Sequence, residues 1–407
     1  MASVRKRSWT TGKGEKRAAW AVDFTDETGA RQRRQFQTKR EADAFRVDIE
    51  GQLRAGTFRA DAAKVTVREA ALGFLDYCEG RMRRGERMTR HNFKVYAGHV
   101  NNYIVPELAR EAGGKRPPRT IAFDGGVGGV KLAQLTAARV GDFRDRLRDA
   151  GVSVPTARKI LGTLQLILEY AISRDMLATN PARGVKVIGR RDEGPRKIVP
   201  PSKEVLRRLI EVADEDFRLV LIFASATGLR AGELHALRWR HIDLARGEVT
   251  VETRVDAYGQ EDVTKTAAGM RTVPLGAAVV AMLKQWKLKA EWSRPDDLVF
   301  PNRRGGYTGH DNMVKRKFLP LFDRLAALHE AEPEKYPPAP ARFNWHALRH
   351  FAVSCWIEAG LNPKTVQTFA GHSSLQVTMD RYGHLFRSED HKAAMSRVAK
   401  ENFSQWL

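Results

Sequence analysis

The stretch NPARGVKVIGRRDEGPRKIVPPS, residues 180–202, constrains this chain most. Proline, glycine and charge are packed there too closely for a helix or strand to continue. A run of this composition between two long helix-patterned regions forces at least two cores. The chain has 407 residues, enough for two or three domains. We place a linker at 183–199, a helical domain at 65–182 before it and a larger domain at 200–407 after it. A small N-terminal domain occupies 1–60.

Charge divides along the same lines. Residues 1–60 carry 14 basic and 8 acidic side chains, residues 61–191 carry 24 and 13, and residues 192–407 carry 32 and 27. The net charge of +22 is therefore concentrated in the first half. A surplus of this size calls for a polyanionic partner, and nucleic acid fits it best. Cys78 and Cys355 are far apart and form no CxxC, so neither a disulfide framework nor a thiolate zinc site is expected. The basic start lacks the apolar core of a signal peptide. The longest apolar run, LVLIFASATGL, is too short to span a bilayer and reads as a buried helix. A cytoplasmic, nucleoid-associated protein without membrane contact is expected.

Local patterns predict the elements. AAWAVDF alternates, with Trp20, Val22 and Phe24 on one face, and RQRRQFQT is a second strand. TKRE (Thr38–Glu41) is a capping box opening a helix whose Ala44, Phe45 and Ile49 would cover the sheet. The expected unit is a three-stranded sheet plus helix. With Phe36 and Arg34 turned inward, Arg31, Arg33, Gln35 and Gln37 face outward. The Arg31–Gln35 row, Arg34 included, is the candidate DNA-contact segment. A second capping box, TVRE (Thr66–Glu69), opens a four-helix basic domain. Residues 110–130, rich in Gly and Pro, read as an insertion carrying no phosphate-binding signature. Beyond the linker, Ser202 caps a helix, residues 217–244 look helical, and GEVTVETRVDAYG, QEDVTKT and RTVPL look like a three-stranded meander with AAGM as its last turn. The fold class is thus multidomain and mainly α with small sheets.

Four segments of the last domain carry chemistry. TGLRAGEL places Arg230 and Glu233 three apart on one helix face. TKT puts Lys265 at a strand end. HALRH sets His346 and Arg349 three apart, with His350 one further on. The His346/His350 spacing is that of a zinc-protease helix, but Ala347 stands where that motif needs Glu, so no metal is assigned and His350 reads as structural. HSSLQVTMDRYGH holds His372 and Tyr382. A phenol with an ordinary pKa near 10 is a poor nucleophile unless a base takes its proton. Two guanidiniums can fork the oxygens of a phosphodiester, and a lysine can protonate the leaving oxygen. These side chains supply every part without a metal or other cofactor.

TGLRAGEL, TKT…RTVPL, HALRH, AGHSS and YGH, in that order, resemble the motif set of the tyrosine recombinase (phage integrase) family. The resemblance is strong over 200–390 and weaker over 65–182, which is similar to the SAM-like core-binding domain. Over 1–60 it is weakest, there with the arm-binding domain. It implies that Arg230 and Arg349 clamp the scissile phosphate, Lys265 is the general acid, His346 the base or proton shuttle for the tyrosine, and His372 a phosphate ligand. Glu233 braces the cluster, and Tyr382 forms a 3′-phosphotyrosyl link. It also implies double-stranded DNA partners at core-type and arm-type sites, a homotetramer on DNA, and a host DNA-bending protein with an excision factor. The tail, with Met395, Val398, Phe403 and Leu407 as apolar candidates, would pack on a neighbouring protomer or on its own domain. A dimer-resolving recombinase and a type IB topoisomerase share the chemistry, and a non-catalytic DNA-binding regulator shares the charge.

Overall fold

In a computed structural model of the chain, the described residues are all but 1, 13, 27–28, 57, 60–61, 63, 114–119, 191–192, 194–197, 264–268, 387–390 and 404–407. Contacts divide the chain into two compact units, Met1–Gly194 and Pro195–Leu407, and the cut falls inside the 183–199 segment.

The N-terminal sheet has three antiparallel strands in the order β1 (Ser3–Thr10), β2 (Lys16–Thr25) and β3 (Arg31–Phe36). The strand without a sequence assignment is β1, the basic start of the chain. Trp20 pairs with Phe36 and Val22 with Arg34, so alternation sends Trp20, Val22 and Phe24 to one face. Helix α1 (Lys39–Arg54) covers that face and opens with the expected Thr38/Glu41 capping box, a feature that stabilises a helix start by about 1 kcal/mol. The covering residues are Ala42, Phe45, Ile49 and Leu53. Ala44 is exposed, contrary to expectation. The stripe runs i, i+3, i+7, i+11, and Ala44 lies off it.

The helical part of the first unit comprises α2 (Val67–Arg83), α3 (Arg90–His99), α4 (Glu107–Glu111), α5 (Ala137–Asp149) and α6 (Val154–Ser173). A π turn, Val100–Ile104, continues α3. Thr66 and Glu69 form the second capping box. One core joins these helices, centred on Phe74, Ile104, Phe143, Ile160 and Leu164. The glycine-rich segment is more than a surface insertion. Its described residues 121–130 put Phe123 and Val127 into that core, and a Cβ on Gly126 would lie 2.7 Å from the Ile104 carbonyl oxygen. Only glycine permits this backbone approach.

The second unit opens with α7 (Lys203–Glu211), capped by Ser202, and α8 (Glu215–Thr227). The helix expected over 217–244 breaks at Gly228, whose φ is +58°. The chain then restarts as α9 (Ala231–His235) and a 3₁₀ turn at Trp239–His241. Five strands follow: β4 (Ile242–Asp243), β5 (Glu248–Val251), β6 (Thr253–Val255), β7 (Glu261–Val263) and β8 (Arg271–Pro274). They make two sheets, β4-β5-β8 and β6-β7, in place of one meander. GEVTVETRV splits at Glu252, and β8 pairs with β5, with Val249 opposite Val273. Burial agrees with this: β5 and β8 alternate into the core, whereas Glu261 and Asp262 of β7 are exposed. Helices α10 (Ala277–Lys289), α11 (His310–Met313), α12 (Leu319–Ala331), α13 (Ala347–Glu358), α14 (Pro363–Ala370), α15 (Leu375–Tyr382) and α16 (His391–Phe403) complete the unit. The apolar run LVLIFASATGL lies in α8 and its C-cap, buried as expected. No helix among the described residues is long and apolar enough to cross a membrane.

Candidate active site

The break after α8 creates the first part of the site. Arg230 stands in extended conformation as the residue before α9, and its backbone N–H donates to Glu233 Oε2 at 2.9 Å. Its guanidinium donates to Glu233 Oε1 (2.8 Å) and to the Gly371 carbonyl (2.8 Å). Arg230 keeps 42% of its side chain open to solvent, whereas Glu233 keeps 4%. A second guanidinium, from Arg271 at the start of β8, holds the same carboxylate: Nη2 lies 2.7 Å from Oε2 and Nη1 3.2 Å from Oε1. Its Nε donates to the Phe369 carbonyl at 2.7 Å. Burial alone would raise the Glu233 pKa, but Arg271 and Arg230 overcome it and hold the carboxyl at about 2.

Arg349, on the first turn of α13, is 3% exposed. It donates to the Gly228 carbonyl at 2.7 Å and to the Ala370 carbonyl. Burial, and then the Arg230 and Arg271 charges, lower its pKa to about 9, so it remains a cation at neutral pH. The turn after α8, strand β8 and the end of α14 thus hold three guanidiniums about one carboxylate. The surplus is two positive charges, with Arg271 and Arg349 shielded from water and Arg230 open to it, and it suits an oxyanion. Arg271 carried no role in the sequence reading. Its one local signal was an arginine opening a strand that alternates into the core.

His372 is buried just before α15. Its Nδ1 lies 2.9 Å from Thr378 Oγ1, and its buried Nε2 has no hydrogen-bond partner among the described residues. Burial, followed by Arg349 and Arg230, lowers its pKa to about 3, so the ring is neutral. When Thr378 donates to Nδ1, the ring proton sits on Nε2, ready for an acceptor. The ring stacks on Tyr382 with centroids 6.0 Å apart.

Tyr382 ends α15 and is fully buried, in a small core with Val353, Ile357, Val366 and Ala370. Burial raises its pKa, while the Arg349 and Arg381 charges oppose the rise. Its hydroxyl lies 2.6 Å from His350 Nδ1. His350, read from sequence as structural, is therefore the histidine against the phenol. His346, about one turn earlier, meets His350 edge-on with ring centroids 4.7 Å apart and keeps an exposed side. Burial of its other side, then His350 and Arg349, lower its pKa to about 4.

The structure thus brings Arg230, Glu233, Arg349, His346, His372 and Tyr382 into one neighbourhood from segments more than 150 residues apart in sequence. Lys265, with Ala267 and Ala268 of the expected AAGM turn, lies outside the described residues. In the other unit, Arg31, Arg33 and Gln35 are exposed on the sheet. Arg33 and Arg5 both bind Asp23. Arg34 is exposed on the helix side, its guanidinium 5.4 Å from the Phe45 ring centroid.

Comparison with known proteins agrees with this geometry. Residues 202–389 match the phage integrase family. A XerC-like tyrosine recombinase of Caldanaerobacter subterraneus is 27% identical over 88% of this chain and 90% of its own. The ICEBs1 integrase of Bacillus subtilis is 26% identical over 65% and 70%. Among solved structures, the Tn1549 transposon integrase in complex with circular intermediate DNA has a TM-score of 0.57 at 19% identity, covering 82% of this chain and 99% of that one. A lambda integrase tetramer bound to a Holliday junction has a TM-score of 0.50 at 17% identity, over 90% and 95%. A buried tyrosine beside clustered guanidiniums, in this motif order, makes residues 202–389 a phage integrase family domain with the side chains of a tyrosine recombinase.

Proposed function

We propose that this protein is a site-specific DNA recombinase, an integrase that inserts and excises a mobile element. Tyr382 attacks the scissile phosphodiester and forms a 3′-phosphotyrosyl link. Arg230 and Arg349 hold the non-bridging oxygens, His372 donates its Nε2 proton to one of them, and Lys265 protonates the leaving 5′-oxygen. His346 lies at the open edge of the site as a proton shuttle. Glu233 and Arg271 fix the clamp. The link conserves the energy of the broken bond, so a freed 5′-hydroxyl of the partner strand reverses the attack without ATP.

The observation that carries this reading is the convergence of three guanidiniums and one carboxylate beside a shielded phenol. Charge supports double-stranded DNA as the partner. Residues 65–407 would grip core-type sites and residues 1–60, through Arg31, Arg33, Arg34 and Gln35, arm-type sites. Recombination would proceed in a tetramer within the nucleoid, assisted by a host DNA-bending protein and an excision factor. The three-stranded N-terminal sheet favours an integrase over a dimer-resolving recombinase.

The test is covalent trapping. A duplex nicked just past the cleavage position should leave the protein attached to DNA on a denaturing gel, and Tyr382→Phe should bind but form no adduct. An adduct with the Phe variant refutes the assignment. Relaxation of any supercoiled plasmid without strand exchange would mean a type IB topoisomerase. Unchanged recombination after loss of residues 1–60 would mean a dimer-resolving enzyme.

A further inference from the structure

We propose that His350 is the base of this site: its Nδ1 takes the proton of Tyr382 as the phenol attacks, a role that rests on the recombinase reading above. The hydroxyl and Nδ1 are already 2.6 Å apart, within direct transfer distance. Both groups sit on rigid elements. His350 is on α13 one residue after Arg349, and Tyr382 closes α15. The helix that brings a phosphate-binding guanidinium therefore also brings the proton acceptor.

The surroundings exclude other direct acceptors among the described side chains. The His372 ring is 16° from parallel to the Tyr382 ring at a centroid distance of 6.0 Å, with its Nδ1 engaged by Thr378. His346 touches the ring of His350 edge-on, placing it one step outward. His350 faces His346 and Arg349 on its own helix, and Tyr382 and Arg381 on α15. Burial, then Arg381 and Arg349, lower its pKa to about 4. At rest it is neutral, and in the tautomer protonated on Nε2 its Nδ1 accepts the phenol hydrogen bond without taking the proton. A phosphodiester bound by the arginines brings one negative charge, and the transition state adds another. Both offset the cations that depress the ring's basicity.

The step balances as follows. The Tyr382 oxygen bonds to phosphorus, and the bond from phosphorus to the 5′-oxygen breaks. The phenol proton moves to His350 Nδ1, giving an imidazolium. The leaving oxygen takes a separate proton from the general acid. On rejoining, the imidazolium returns its proton to the tyrosine.

The experiment is single-turnover adduct formation on nicked duplexes carrying the core site mapped by trapping with the unaltered protein. Two scissile linkages are compared, an ordinary phosphodiester and a 5′-bridging phosphorothiolate, whose sulfur leaves without a proton. His350→Ala should slow the adduct by about 10²- to 10⁴-fold on both linkages, with DNA affinity held within about threefold. His350→Asn keeps an acceptor near the Nδ1 position but cannot carry a proton, and it should be equally slow. On the phosphorothiolate the unaltered protein should be nearly flat with pH, while both variants gain about tenfold per pH unit as phenolate forms. Adduct rates within about threefold of the unaltered protein in His350→Ala would overturn the inference. So would recovery in His350→Asn, which would make the residue orienting only, or rescue by the sulfur linkage, which would place the defect on the leaving side. Absence of any adduct with the unaltered protein would instead sink the recombinase reading.

Discussion

Replacing Glu233 by Gln should cost the second unit about 3 kcal/mol of stability. The carboxylate is 4% exposed and receives two bonds from Arg271, whose side chain is 1% exposed. Its pKa falls from 4.5 to about 2. At about 1.4 kcal/mol per pKa unit that depression is worth about 3 kcal/mol. Breaking a buried ion pair by removing one partner costs about 3–5 kcal/mol, so two independent routes agree. The sign follows from the depressed value. The contribution is complete above the unfolded carboxyl pKa and is lost as pH falls through the folded one. Urea unfolding followed by tryptophan fluorescence is the assay, since six of the eight tryptophans lie beyond residue 195. At neutral pH the variant should unfold earlier by the full amount. The gap should narrow between about pH 4.5 and 2. A loss below about 1 kcal/mol, or a gap that does not change with pH, would refute the claim that this carboxylate holds the guanidinium cluster together.

Arg349→Lys should keep DNA affinity but cut single-turnover adduct formation by about 10²-fold or more, because one ammonium cannot reach two carbonyls and an oxyanion together. Thr378→Val removes the Nδ1 partner of His372, and adduct formation should fall by about tenfold with the fold intact by circular dichroism. Gly126→Ala should destabilise the first unit by about 1–3 kcal/mol in a urea melt, since a Cβ there meets the Ile104 carbonyl. Asp23→Asn frees Arg5 and Arg33 from their shared carboxylate, so the salt dependence of arm-site binding should steepen by about one unit of slope in a filter-binding titration.

Much was legible before any coordinates because its causes are local. The Thr38/Glu41 and Thr66/Glu69 capping boxes are each written in four consecutive residues, and the Trp20–Val22–Phe24 alternation in five. The spacing of Arg230 to Glu233 and of His346 to Arg349 brings each pair together, with Arg230 and His346 standing as the residues just before α9 and α13. Ala44 shows how fragile such readings are: taken in place of Ala42 beside the correctly read Phe45 and Ile49, it put an exposed side chain in the core. The meander failed for another reason. Strand β8 found its partner in β5 across the β6-β7 hairpin, and no local signal states which neighbour a strand will choose.

By itself, then, the sequence determined the division into two units within 183–199, the basic front half, most helix starts and the candidate side chains that the second unit gathers about Tyr382. Only the tertiary structure decided that Arg271 shares Glu233 with Arg230, and that the phenol of Tyr382 rests on His350 rather than His346. Glu233 and Arg271 are 38 residues apart, His350 and Tyr382 are 32 apart, and Arg230 reaches Gly371 across 141. Helical and strand periods carry information over a few residues, whereas a buried charge is satisfied by whatever packing brings beside it.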